Sequence, residues 1–249
     1  RYREVMLSCD FHERTGIPLD AQMRGFIQGK RIAKERYGVE FSCIPELDRT
    51  SPPERNLSLV SRLEPWRKDA GIVAVGLDSA EAGYPAHWHR DAFRLAKELG
   101  YHLTAHAGEA YGPVSILDAL DEAGCDRIDH GVRAVEDDAL VERLAREHIL
   151  LTVCPLSNLA LKIFPDMQRH SIKALMDAGV SVSINSDDPP FFRGNLNENY
   201  EAVAEAFRLS KSALHTLAKT AFTRSYAAQS LIDGWVEELD TYFVENDFE

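Results

Sequence analysis

Four short polar runs contain residue types that do chemistry: His106-Ala107-Gly108-Glu109, Asp129-His130-Gly131, Cys154-Pro155-Leu156-Ser157-Asn158 and Asn185-Ser186-Asp187-Asp188-Pro189. Each closes an apolar run of the kind that forms a buried strand. Two imidazoles, one Glu and two adjacent Asp are donors suited to a divalent ion of the zinc type, and a carboxylate beside metal-activated water suits proton transfer. The chemistry implied is metal-assisted hydrolysis. A single His at a strand end is more often a hydrogen-bonded structural residue. Asp187-Asp188-Pro189 alone reads equally well as a helix-capping turn. Four consecutive strand ends carrying such residues are poorly explained by coincidence.

Seven strand candidates must hold these runs, at about residues 3–9, 40–45, 71–77, 101–106, 127–130, 149–154 and 180–185. Helical patterns alternate with them, as around a parallel sheet. Residues 19–36 carry spaced apolar positions at Met23, Phe26, Ile27 and Ile32, and residues 137–147 carry Leu140, Val141 and Leu144. Gly100, Gly124 and Gly179 each follow a helical pattern and precede a strand, where a helix C-terminus favours positive φ. After residue 195 the pattern is purely helical, through about 202–209, 212–222 and 225–244. An α/β barrel of eight strands with outer helices and extra C-terminal helices accounts for this alternation, with its active site at the C-terminal ends of the strands. Seven strands are one short. The expectation is therefore a single barrel domain over residues 1–249 that lacks the first strand and its helices.

The composition excludes several classes. With 28 Lys plus Arg against 40 Asp plus Glu, 28 − 40 = −12, and no basic tract is present to bind a nucleic-acid backbone. No apolar run reaches the roughly 18 residues of a membrane span. Arg1-Tyr2-Arg3-Glu4 lacks the apolar core of a signal peptide. Cys9, Cys43, Cys125 and Cys154 form no close pair, and read as buried thiols in a reducing compartment. A cytoplasmic, membrane-free protein is expected, its oligomeric state open.

In order and approximate spacing, the four runs resemble those of the adenosine and adenine deaminases of the amidohydrolase superfamily. The resemblance covers essentially the whole chain and is strongest from Val73 to Tyr200. It implies a TIM-type (β/α)8 barrel of the metal-dependent hydrolase kind, carrying one Zn2+. The implied reaction replaces the 6-amino group of a purine by oxygen and releases ammonia, as in purine salvage. Carried over residue by residue, the resemblance makes His106 and Asp187 zinc ligands. Glu109 becomes the group that protonates ring N1 as water adds to C6, and His130 the one that orients and stabilises the attacking oxygen. Asp188 receives the N7 side of the ring, and Asp187 also accepts a hydrogen bond from the attacking water. The physics is consistent: zinc lowers the pKa of its water to about 7. A proton delivered to the ring nitrogen offsets the lost π system.

The family's first strand supplies a His-x-His pair to the zinc, whereas Arg3–Asp10 matches its second strand. His87 and His89 have that spacing but stand at the start of a helix on the wrong side of the fourth strand, and are expected on a solvated face. The run Gly76 to Pro85 follows the strand where the family reads the purine edge, and Ser79 stands where nucleoside deaminases carry Gly. Adenine is therefore favoured over adenosine by a small margin, with Ser79, Glu109 and Asp188 as substrate-binding residues. Two rivals stand beside this reading. One is a non-catalytic barrel fragment that needs its missing N-terminal part. The other is a different metal hydrolase on the same barrel, for which Lys162 is poorly placed to serve as a carboxylated bridge.

Overall fold

The computed structural model describes residues 2–192 and 194–245. The chain falls into two compact units, one of residues up to His106 with Leu117–Asp126, the other of Ala107–Ile116 with the chain from Arg127 onward. All seven expected strands form: β1 (Tyr2–Leu7), β2 (Glu40–Asp48), β3 (Ala74–Asp78), β4 (His102–Ala107), β5 (Arg127–His130), β6 (Leu150–Val153) and β7 (Ser181–Ile184). In the first unit β1 to β4 lie side by side in chain order, every pair parallel, with Tyr2 opposite Glu40 and Leu7 opposite Pro45. In the second, β5, β6 and β7 do the same, with Asp129 opposite Thr152 and Val153 opposite Ile184.

Parallel neighbours require long crossovers, and helices that cover both faces leave strands apolar throughout. Every residue of β5 and β6 is buried, and β3 is buried up to Asp78. The polar members of these strands find partners, as burial demands. Thr152 Oγ1 donates to Asp129 Oδ1 at 2.7 Å, and the Arg127 guanidinium lies over the Tyr226 ring at 4.2 Å.

Helix boundaries follow the caps. The helix Asp138–Glu147 begins where the Asp137 side chain accepts from the N–H groups of Ala139 and Leu140, and it buries Leu140 and Leu144. The apolar pattern places the next long helix at about residue 202, but it starts at Leu196. The cause is a capping box: Asn195 Oδ1 accepts from the N–H of Asn197 and of Glu198, and the Glu198 carboxylate accepts from the Asn195 N–H at 2.7 Å. At the C-terminus, Gln229–Glu245 packs on Lys211–Thr223, where Asp240 receives His215 at 2.7 Å and Lys219 at 2.8 Å. Gly100, Gly124 and Gly179 all adopt positive φ at their helix ends. Among the described residues no helix is long and apolar enough to cross a membrane.

Candidate active site

In the first unit the informative residues stand at the ends of β2, β3 and β4. His106, near the end of β4, directs Nδ1 at Glu46 Oε1, 3.1 Å away, and the Glu46 side chain is 5% exposed. Arg49, 2% exposed, follows β2 and is the largest fully buried side chain among the described residues. Its guanidinium donates to the backbone oxygens of Asp78 at 3.1 Å, of Tyr84 at 3.3 Å and of His106. One rigid fork thereby ties together the chain segments that follow β3 and carry His106. Burial pushes the Asp78 carboxyl above its ordinary range, against the lowering effect of its hydrogen bond from Ser8 Oγ. Ser79 is exposed and donates to Asp78 Oδ1 at 3.2 Å.

In the second unit three of the sequence-predicted residues come together. Glu109 Oε1 lies 3.3 Å from His130 Nδ1, and Asn158 Nδ2 donates to the same oxygen at 3.0 Å. Asp187 accepts from Ser157 Oγ at 2.7 Å, and one donor atom each of His130, Cys154 and Asp187 lies within 4.8 Å of the others. Pro155 at the first turn of the short helix Pro155–Ala160 turns the chain inward, so that Ser157 and Asn158 are fully buried facing these groups. The helix is held by Asn199, which accepts from the Leu156 N–H at 2.9 Å.

Backbone strain falls on the same residues. Of six described non-glycine residues with positive φ, three are Ser79 at 73°, His130 at 62° and Asp187 at 56°. Left-handed backbone costs a side-chain-bearing residue roughly 1–2 kcal/mol. It persists where the surroundings impose it, which is characteristic of functional positions. Gly131 is required by its neighbours as well as by its φ of 67°: a Cβ there would meet Leu151 Cδ2 at 2.6 Å.

Two expectations need correction. His89 is not on a solvated face; it is 1% exposed, with Nδ1 3.1 Å from Asn56 Nδ2 and Nε2 3.0 Å from the Arg49 oxygen. The apolar side of its short helix turns it into the core, and burial lowers its pKa, so it is a structural imidazole. His87 is half-buried and 2.7 Å from Asp118. Asp188, expected to receive the N7 side of the ring from within a closed site, is exposed, and its backbone oxygen receives the N–H groups of Phe191 and Phe192 at the start of the turn Pro189–Phe192. Sequence reasoning passed over Glu46, His170 and any role for Asn158. An acidic residue inside the apolar run of β2 was the signal for Glu46; for His170 there was none.

The donor chemistry fits a divalent ion. In the second unit the grouped donors of His130, Cys154 and Asp187 include an imidazole and a carboxylate, types that suit such an ion. The Cys154 thiol is the weak member, because burial, followed by the charges of Asp187, Glu109 and Asp129, raises its pKa and keeps it protonated. One pH effect arises from His170, which is 3% exposed and whose pKa burial lowers from 6.5 to about 4. Between those values the unfolded chain binds a proton that the folded chain refuses, so stability rises with pH. Unfolding free energy is expected to fall by about 3 kcal/mol as pH drops from 6.5 to 4, and His170→Gln should flatten that slope. Denaturant melts across this range check it; an identical slope in the variant refutes it.

An adenine deaminase from Cupriavidus necator is 39% identical over 243 residues, covering 98% of this chain and 69% of that protein. The crystal structure of adenine deaminase from Arthrobacter aurescens superposes with a TM-score of 0.93 at 31% identity, over 97% of this chain and 73% of that one. A zinc-bound amidohydrolase from Burkholderia ambifaria gives 0.91 at 27% identity, over 98% and 68%. The fold class is α/β with seven parallel strands, of the TIM-type barrel kind expected from the sequence. The adenosine deaminase family model matches residues 1–242, and the chain belongs to that family.

Proposed function

We propose that this chain catalyses the hydrolytic deamination of a 6-aminopurine, adenine foremost, yielding the 6-oxopurine and ammonia, with one Zn2+ as cofactor. The observation that carries the reading is the Glu109–His130–Asn158 contact set, in a chain with 37–40% identity to several adenine deaminases. His106 and Asp187 are assigned to hold the zinc, which when bound supplies Lewis acidity and makes water nucleophilic at neutral pH. Glu109 donates its proton to ring N1 as the water oxygen adds to C6. His130 orients that water and stabilises its charge. Asp187 accepts a hydrogen bond from the same water and takes the proton it loses on adding to C6. That proton passes to the 6-amino group, the C6–N bond breaks to release ammonia, and the C6 hydroxyl proton returns to Glu109 as the carbonyl forms. Ser79 and Asp188, both exposed, bind the purine together with Glu109.

The same reading places the reaction in purine salvage in the cytoplasm, supported by four buried cysteines that form no disulfide. The test is ammonia release from adenine and from adenosine by protein of measured zinc content. Turnover of adenine with the larger kcat/KM is expected. Zinc-loaded, folded protein that releases no ammonia from either compound would refute the activity, and a preference for adenosine would refute the choice of base.

A further inference from the structure

Behind Glu109 runs a buried chain of polar groups whose donor and acceptor roles can be fixed from one end. It begins at the Ile172 backbone N–H, which points at Nδ1 of His170 from 3.0 Å. A backbone N–H only donates, so Nδ1 is the unprotonated nitrogen and the ring hydrogen sits on Nε2. Burial favours the neutral ring, which packs against Phe164 with centroids 4.5 Å apart. Nε2 lies 3.2 Å from Oδ1 of the fully buried Asn158 and donates to it. That orients the Asn158 amide, so its Nδ2 faces the other way, toward Glu109 Oε1 at 3.0 Å and His130 Nδ1 at 3.4 Å. In a neutral carboxyl group the oxygen that accepts from an amide N–H is the carbonyl-like one. The acid proton then belongs on Oε2.

We infer that His170 and Asn158 are positioning residues that keep the acid proton of Glu109 on Oε2, the oxygen that delivers it. The inference rests on Glu109 being the proton donor of the proposed reaction. Were the amide reversed, its oxygen would face Oε1 and draw the proton there, toward the protein. His170 prevents that reversal, because a reversed amide would set an N–H against its own Nε2–H.

The experiment compares His170→Leu, which removes the donor, with His170→Gln, which returns an amide N–H near the place of Nε2. With zinc content and melting temperature recorded, His170→Leu should lower kcat on adenine by about 10- to 100-fold, within what a general acid contributes. Its KM should stay within about threefold, and His170→Gln should recover most of the kcat. Glu109→Gln runs alongside. Parent-like kcat in His170→Leu while Glu109→Gln is inactive overturns the positioning role alone, as does a His170→Gln as impaired as His170→Leu. Parent-like turnover in Glu109→Gln overturns the donor assignment and this inference with it. Histidine ¹⁵N spectra of the parent protein need no variant, and stand if His170→Leu does not fold. A neutral His170 carrying its hydrogen on Nε2 is expected; a hydrogen on Nδ1 overturns the inference.

Discussion

Glu109→Gln is expected to lower kcat for adenine by about 10²–10⁴-fold while leaving KM and zinc content near those of the parent. The substitution keeps the shape of the side chain and an oxygen able to accept from Asn158 Nδ2, now 3.0 Å from Glu109 Oε1. On the proposed mechanism it removes the proton that Glu109 passes to ring N1. The Glu109 side chain is 15% exposed and the His130 side chain 3%, so little bulk water is at hand to replace it. Steady-state kinetics with metal analysis on the same preparation check the result. Turnover within a few-fold of the parent would show that Glu109 is not the donor, whereas loss of zinc together with activity would show that it serves the metal instead.

Asp187→Asn is expected to weaken zinc binding by at least tenfold and to cost kcat by about 10³-fold even with zinc in excess. Loss of a metal-site partner has the first effect, and loss of an acceptor for the attacking water the second. Asn is the informative replacement, because Asp187 sits at φ 56° and Asn is among the few residues that tolerate that backbone. Its oxygen can still accept from Ser157 Oγ, so the fold should be little disturbed. Zinc titration by competition with a chelator, followed by kinetics at saturating zinc, separates the two effects. Unchanged zinc affinity would remove Asp187 from the ligand set. Unchanged kcat at full occupancy would remove its contact to water.

Much of the molecule was legible because it depends on local patterns. The seven strands appear within a few residues of their apolar runs, since a strand covered on both faces must be apolar along its length. Where the apolar pattern misplaced an end, as at Leu196, a local signal had been passed over: the Asn195–Glu198 pair is itself in the sequence. The runs at Glu109, His130 and Asp187 were readable as chemistry because their residue types are rare at strand ends.

The amino-acid sequence by itself determined the strand and helix order, the chemical inventory at the strand ends, and the family. Tertiary structure alone decided how that inventory is wired, because hydrogen-bond partners are set by which distant segments the packing brings within about 3 Å. Glu46 stands against His106 across sixty residues of chain, and Asn158 meets Glu109 across forty-nine. His89 illustrates the converse: its spacing from His87 looked like a metal pair, yet the side on which its short helix packs places it between Asn56 and Arg49. The left-handed backbones of Ser79, His130 and Asp187 were equally hidden: His and Asp tolerate that conformation better than most residues but do not require it, and the enclosing fold imposes it.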